Sequence, residues 1–320
     1  MNNYEELDNF IANRDDKVLT LLNEGLSTRA VSQLTGVPKS TVWDIKARNE
    51  NVSQEPVEPL KELPKVLFID IETSPTLSWT WRRFKENISQ AQVESECYVL
   101  TWSAKWLGQD TVVSDSLHFY PDNLNNEDDQ PLIASIYDLI DEADAVVGHN
   151  GDRFDLALLN ARMVYHGFQP PSPYRTVDTL KILKNKFKFP SNKLDSVCQY
   201  LGIGEKVATG GFELWKRCMH KDVSAFEEML EYNVYDVVLL EMLYKRIAPW
   251  YSTHVNLAQY IQSDDMVCAV CTSDELEEQG TVSTNISTFQ AYRCKNCGHW
   301  HRGRINIKTE QQMENTLVNA

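Results

Sequence analysis

The sequence has no long apolar run and no excess of positive charge. No stretch approaches the ~20 consecutive apolar residues that a membrane-spanning helix requires, so we expect no membrane partner. The first ten residues, MNNYEELDNF, are acidic and lack an apolar segment, so we expect no secretory signal. These features predict a cytoplasmic location, which would be the host cytoplasm if the chain is phage-encoded.

The formal net charge of −15 at first argues against a nucleic-acid partner, because phosphates are bound by basic surface. However, a site that binds Mg²⁺ through clustered carboxylates is acidic when it is counted without its metal. The bound cations reverse the local charge. The net charge therefore excludes little, and the class of partner must be inferred from motifs.

Cysteine is concentrated near the end of the sequence, where four of the seven residues form two CxxC pairs. These are Cys268, Cys271, Cys294 and Cys297. In a chain without an export signal, such pairs are typical of zinc ligands rather than disulfides. We predict a four-cysteine zinc ribbon over residues 264–305 that holds one structural Zn²⁺, followed by a tail, 306–320.

The role of this ribbon has two interpretations. It either contacts nucleic acid or serves as a structural or protein-binding module. The residues available for nucleic-acid contact are Arg293, Lys295, Trp300, Arg302 and Arg304. His299 and His301 are possible substitute metal ligands, although four cysteines already complete a tetrahedral site.

Residues 14–48 have the pattern of three short helices. Gly25 ends the first, Ser27 is placed to cap the second, and Gly36 makes the turn before the third. The apolar face of the second helix carries Ala30, Val31 and Leu34. Short helix, tight turn, short helix is typical of a helix-turn-helix.

Lys39, Ser40 and Thr41 are expected on the exposed side of the third helix, which suits contact with phosphates. Protein docking is the alternative role for this unit. Residues 49–63 are rich in proline and charge with little periodicity, which predicts a linker.

Residues 64–252 change in composition to strands followed by alternating strands and helices. This order predicts an α/β domain with a mixed sheet. Its first strand, VLFIDIET, places Asp70 and Glu72 on one face, because alternate side chains of a strand point the same way. Two adjacent acids on an apolar strand indicate a cation between them, unless the strand end simply reaches solvent.

A second group of acids, in HNGDRFD, follows the apolar strand DAVVG. Sites of α/β proteins lie at the carboxyl ends of such strands. Asp155 falls in the first turn of the next helix, where an acid also interacts favourably with the helix dipole. Asp152 fits that simpler role better, because apolar residues surround Asp155.

A third group lies in a long apolar helix, predicted over 222–247. Tyr232 and Asp236 are four residues apart and therefore share a face. A buried aspartate needs a metal or a partner, because burial of an uncompensated charge is costly.

The segments FIDIET, HNGDRFD and YNVYD, in this order, resemble the DEDD (DnaQ-like) exonuclease superfamily. Its RNase H-like fold is that of the proofreading domains of family A and B DNA polymerases. The resemblance covers roughly residues 64–252. One branch has a histidine five positions before the last aspartate, the other a tyrosine four before it. Glu231 and Tyr232 match the tyrosine (DEDDy) branch.

This resemblance implies an RNase H-like mixed β-sheet flanked by helices and a two-metal 3′→5′ exonuclease that releases 5′-nucleoside monophosphates. Two Mg²⁺ or Mn²⁺ ions would be held by Asp70, Glu72, Asp155 and Asp236. Asp70 would bridge both metals, Glu72 and Asp236 would complete the water-activating site, and Asp155 would support the leaving-group metal. Tyr232 would hold the attacking water, and Asn150 would contact the terminal nucleotide.

The densest basic run includes Lys184, Lys186, Lys188 and Lys193 and is interleaved with Phe187 and Phe189. It predicts either a groove for a single-stranded 3′ tail, with aromatics available for stacking, or a solvated helix face.

The partner expected from these features is nucleic acid, DNA rather than RNA. Replication or repair proteins are further candidates, through the helix-turn-helix or the ribbon. Two alternative functions stay open: an RNA 3′→5′ exonuclease on the same site, or a catalytically retired nuclease fold that binds nucleic acid or recruits other proteins. Four acids suited to metal binding favour the active enzyme.

Overall fold

The computed structural model describes residues 14–50, 64–204, 210–261 and 263–317. The chain divides into two compact units, Met1–Leu60 and Lys61–Ala320. Residues 51–63, most of the predicted linker, lie outside the described residues, so the linker stays a prediction.

The described residues of the N-terminal unit, 14–50, form three short helices. Residues 14–23 form α1, Thr28–Thr35 form α2 and Lys39–Glu50 form α3. The Ser27 hydroxyl accepts a hydrogen bond from the backbone N–H of Ala30, which satisfies one of the free donors at the start of α2. Gly36 ends α2 with a φ of 70°, in the left-handed region that glycine adopts without strain.

A small apolar core joins the three helices. Its buried members are Val18, Val31, Val37, Val42 and Ile45. The expectation that Leu34 lies on this inner face is wrong, because its side chain is 64% exposed. Lys39 is exposed and Thr41 is half-buried, while the side chain of Ser40 lies outside the described part of the chain.

The larger unit is built on a five-stranded sheet with the order β5-β4-β1-β6-β7. The central strand β1 pairs antiparallel with β4 and parallel with β6. The strands are β1 Val66–Thr73, β4 Val99–Trp106, β5 Val112–Ser116, β6 Ala145–Gly148 and β7 Arg175–Asp178, with a hairpin of β2 Leu77–Ser78 and β3 Val93–Ser95 between β1 and β4. The predicted mixed sheet is confirmed.

Helices cover both faces of this sheet. They are α4 Pro121–Asn126, α5 Gln130–Glu142, α6 Asp155–Tyr165, α7 Thr179–Lys186, α8 Leu194–Leu201, α9 Phe212–Met219 and α10 Val223–Ile247. The predicted flanking helices are therefore confirmed. In the described part of the chain, no helix is both long and apolar enough to cross a lipid bilayer.

Strand β1 separates two apolar layers. Leu67, Ile69 and Ile71 lie in the cluster that includes residues of α5 and α6. Val66 and Phe68 lie in the opposite cluster, with residues of α7, α8 and α10. Because side chains alternate along a strand, the polar positions that follow Phe68 on its face point toward the α10 side of the sheet.

Helix α10 spans 25 residues and packs across β1, β4 and β5. Near its C-terminal end, the buried carboxylate of Glu241 accepts a hydrogen bond of 2.5 Å from the Lys105 ammonium of β4. Burial alone would raise the pKa of Glu241, but hydrogen bonds from Lys105 and Lys245 outweigh it and hold the pKa below its usual value. This pair ties α10 to the sheet.

The cysteine segment forms a three-stranded antiparallel sheet of β8 Leu276–Ser283, β9 Thr288–Cys294 and β10 Trp300–Asn306. Cys268, Val270 and Cys294 belong to the same apolar cluster as the C-terminal part of α10. The backbone N–H of Leu257 donates to the Ala269 carbonyl at 2.8 Å. A short helix, α11 Glu310–Glu314, lies within the predicted tail.

We predict that Glu241→Gln lowers the free energy of unfolding by about 3 kcal/mol at pH 7, because it leaves the buried Lys105 ammonium without its carboxylate. Urea denaturation measures this change. The matched control is Glu142→Gln, which removes the exposed pair with Lys65 and is expected to change the free energy by less than about 1 kcal/mol.

The same pair predicts a pH dependence. Because the folded-state pKa of Glu241 lies below its ordinary value of 4.5, its contribution is complete above that value and is lost as the pH falls through the folded pKa. Equal loss of stability in both variants at pH 7 would contradict the assignment.

Candidate active site

Three predicted acids meet on the α10 side of the sheet. Asp70 and Glu72 come from β1 and Asp236 from α10, and one carboxylate oxygen of each lies within 4.8 Å of the others. The two-residue period of the strand and the packing of α10 against β1 bring them together. A shared cation would offset the mutual repulsion of three such charges.

Asn233 lies directly beside this cluster. Its side chain is fully buried, and its amide donates to Oδ2 of Asp70 at 2.6 Å. Sequence reasoning assigned it no role, although a signal was available. Asn233 is three residues before Asp236 and therefore projects from the same face of α10.

Asp155 is the first residue of α6 and is only 3% exposed. Its Oδ1 accepts a hydrogen bond of 3.2 Å from the backbone N–H of Ile71, the residue between Asp70 and Glu72. Burial raises the pKa of Asp155 to about 7, and the negative charge of Asp178 adds to the rise. Among the described residues, the acids whose oxygens lie within 4.8 Å of one another are Asp70, Glu72 and Asp236, and Asp155 is not one of them.

The turn between β6 and α6 positions the second group of predicted residues. A Cβ at position 148 would lie 2.9 Å from Cα of Gly151. Only glycine at this position therefore allows the two backbone segments to approach so closely. Asn150 has a φ of 70°, and its backbone N–H donates to Asp178 at 3.0 Å. The same Asp178 caps α7, which fixes α6, α7 and this turn relative to one another.

All five predicted catalytic residues line one open cleft of about 840 Å³, which Asn150, Lys184 and Lys193 also line. Lys186 and Lys188 are exposed but are not among its lining residues. His149 also lines the cleft and is held by Thr179 and by the Asn192 carbonyl, each at 2.9 Å.

The expectation that Phe187 and Phe189 are available for stacking is wrong. The two rings stack on each other with centroids 5.3 Å apart, and both pack against the apolar cluster on the α10 side. Phe187 also meets Trp250 edge to face. Both rings are half-buried, because part of their surface packs against this apolar cluster.

The donors of the cleft fit hard divalent cations. Mg²⁺ and Mn²⁺ prefer carboxylate oxygens, and three are gathered here with a fourth carboxylate, that of Asp155, lining the same cleft. Oδ1 of Asp236 is enclosed and accepts no hydrogen bond from the described residues, while the side chain has other interactions. A cation would satisfy that oxygen.

The four predicted cysteines also converge, with one sulfur of each within 4.8 Å of the others. Sγ atoms of Cys268 and Cys297, and of Cys271 and Cys294, are 3.6 Å apart. Hydrogen bonding from Cys268 lowers the pKa of Cys271, while the same contact raises the pKa of Cys268. Four sulfur donors fit one tetrahedral Zn²⁺.

The two nearby histidines differ. His301 places Nε2 3.2 Å from Sγ of Cys268, where it contacts a candidate ligand. His299 contacts the Pro249 carbonyl through Nδ1 at 2.7 Å and so joins this module to the end of α10.

Residues 67–248, from β1 to the end of α10, match the family model of the RNase H superfamily. The chain belongs to the RNase H superfamily. The matched range contains every acid of the cleft, so the site lies within the RNase H superfamily domain.

No curated protein matches the sequence. Among solved structures, a family B DNA polymerase from the hyperthermophilic archaeon Pyrobaculum calidifontis aligns at 18% identity, with a TM-score of 0.43, over 58% of this chain and 25% of that chain. The chain thus spans about a quarter of the polymerase.

We predict that Asn233→Ala weakens Mn²⁺ binding by about 10- to 100-fold, because the buried amide orients the Asp70 carboxylate. Isothermal titration calorimetry measures the affinity without any substrate. Asn185→Ala removes an exposed amide of α7 and serves as the control. Equal affinities in the two variants would show that Asn233 does not position Asp70.

We predict that the purified chain carries one equivalent of zinc, and that Cys294→Ser loses it. Its melting temperature should fall by roughly 5 °C or more, since Cys294 is buried against α10. Atomic emission spectrometry and thermal unfolding measure the two effects. Cys97→Ser, outside the cluster, should keep both values. A zinc-free wild type would rule out the structural role.

Proposed function

We propose that this chain is a metal-dependent 3′→5′ exonuclease that hydrolyses single-stranded DNA and releases 5′-nucleoside monophosphates. One observation carries the proposal. Carboxylates from β1 and α10 gather within 4.8 Å in a cleft that Asp155 and Tyr232 also line, inside an RNase H superfamily domain.

When bound, two divalent cations would lower the pKa of a bound water and would offset the charge that develops on the phosphate. Asp70, Glu72 and Asp236 would hold the first, with Asp70 shared between both. Asp155 is buried, bonds to the backbone of Ile71 and would support the second. Mg²⁺ or Mn²⁺ suits this all-oxygen donor set.

Tyr232 lies one helical turn before Asp236 on α10 and lines the same cleft, and its hydroxyl would hold the attacking water. Asn150 also lines the cleft and would contact the terminal nucleotide. Lys184 and Lys193 line the same cleft and would neutralise phosphates of the incoming strand.

The attached modules are proposed to bring the nuclease to its substrate. Lys39, Ser40 and Thr41 of α3 are candidates for DNA phosphate contact, and the cysteine module is a candidate contact for nucleic acid or for replication or repair proteins. Lys186 and Lys188 are further candidates along the strand. DNA is favoured over RNA by the helix-turn-helix pattern, and the reaction chemistry is the same for both.

We predict that Asp70→Asn and Asp236→Asn each lower the rate of nucleotide release by at least about a hundredfold, because each removes a metal-binding charge. A 3′-labelled oligonucleotide with Mg²⁺ measures release. The control is Asp152→Asn. Asp152 lies in the same HNGDRFD segment as Asp155, but it pairs with Lys181 and is not among the acids whose oxygens gather within 4.8 Å. This variant should retain wild-type activity.

The direction and substrate are tested in the same assay. A 5′-labelled strand should shorten one nucleotide at a time, with single-stranded DNA degraded faster than blunt duplex DNA. Faster hydrolysis of an RNA strand of equal sequence would reassign the substrate. Undiminished activity in Asp70→Asn would place the catalytic site elsewhere.

A further inference from the structure

Three large aromatic rings are exposed in the segment that joins β2 to β3. Trp79 is 72% exposed, Trp81 is 93% exposed and Phe84 is 81% exposed. We call residues 79–88, WTWRRFKENI, the aromatic-basic loop. Large rings clustered on a surface normally mark a place where another molecule binds.

The same loop carries three cations, Arg82, Arg83 and Lys85, all exposed. None of them forms an ion pair with a carboxylate among the described residues. The loop has one acid, Glu86, so its local charge is positive in a chain of net charge −15. This surface therefore suits an anionic partner.

The loop is held in shape from inside. The Glu86 carboxylate accepts hydrogen bonds from the backbone N–H groups of Trp81 at 3.2 Å and Arg82 at 2.7 Å, which lower the pKa of Glu86. Gln92 donates to the Trp79 carbonyl at 3.0 Å and to Glu86 at 3.2 Å. These bonds use the backbone and the acid and leave the rings and cations facing outward.

The base of the hairpin is attached beside the cleft. Ser74, next after β1, exchanges hydrogen bonds of 2.9 Å with the backbone of Tyr98, through its own N–H and its hydroxyl. Trp79 is seven residues after Glu72, so the two lie within about 25 Å of each other by chain length alone. The loop thus begins a few residues beyond the C-terminal end of β1, the strand that carries two of the acids.

We propose that the aromatic-basic loop binds single-stranded nucleic acid upstream of the 3′ end. Bases stack on Trp79, Trp81 and Phe84, and phosphates pair with Arg82, Arg83 and Lys85. A single strand presents both flat bases and anionic phosphates, and the loop presents both exposed rings and exposed cations. Duplex DNA hides its base faces. The inference deepens the proposed function and rests on it.

The test is fluorescence anisotropy of a labelled twelve-nucleotide oligothymidylate without added divalent metal, so that binding is read without hydrolysis. Trp81→Ala/Phe84→Ala should weaken binding at least tenfold, since each stacked base contributes substantially. Arg82→Ala/Arg83→Ala should reduce the slope of log Kd against log salt by about 1.4, or about 0.7 per phosphate contact.

The control is Tyr165→Ala, which removes another exposed ring at the far end of α6 from Asp155. It should bind like the wild type. An abasic strand of equal length should bind the wild type no more tightly than the oligothymidylate binds Trp81→Ala/Phe84→Ala, because that variant keeps the ring of Trp79. Equal oligothymidylate affinity in wild type and Trp81→Ala/Phe84→Ala would overturn the proposal.

Two further outcomes separate this inference from its rivals. Rings and cations also suit an anionic lipid surface, so vesicles of phosphatidylcholine and phosphatidylserine are included. Vesicle binding that the loop variants lose, with strand binding unchanged, would overturn the assignment. Because affinity is measured without turnover, an inactive wild type would defeat the proposed function alone, whereas an active enzyme with fully binding loop variants would defeat only this proposal.

Discussion

The crowding of carboxylates around Asp70 is the constraint on which the site depends. Like charges a few ångströms apart repel, so they stay together only if rigid elements hold them and a cation compensates them. Strand β1 supplies two of them by its alternation, α10 supplies Asp236, and Asn233 binds the first by an amide. The residues of β1 and α10 meet only because α10 packs against the sheet. The buried pair of Glu241 and Lys105 also stabilises this contact.

Much of this arrangement is readable in the sequence because its signals are local. Strand alternation separates Asp70 and Glu72 from Ile69 and Ile71, and helical spacing aligns Tyr232 with Asp236. The CxxC spacing likewise predicts that four sulfurs converge. A local pattern does not determine the distance between residues that are far apart in the sequence. The separation of Asp155 from the other three acids depends on how α6 docks beside β1.

The wrong predictions for Phe187, Phe189 and Leu34 also arise because a local pattern does not show what packs against a side chain. Phe187 and Phe189 lie between lysines, a pattern that favours an exposed aromatic strip, yet the neighbouring core has room for both rings. Leu34 fits the helical period of α2, yet its side chain is exposed among the described residues. Conversely, no local pattern in the sequence marks Trp79 and Trp81 as surface residues, and their rings are shown to face outward only by their exposure in the folded loop.

The cysteine module shares its apolar layer with α10, and this bears on how the protein can be divided. Val270 and Cys268 pack in the cluster that contains Leu243 and Ile247. A truncated nuclease ending near residue 252, where the sequence suggests a border, would leave this apolar strip of α10 bare to water. Such a fragment would tend to aggregate, so we expect that a soluble form of the RNase H superfamily domain must include the cysteine module that follows it.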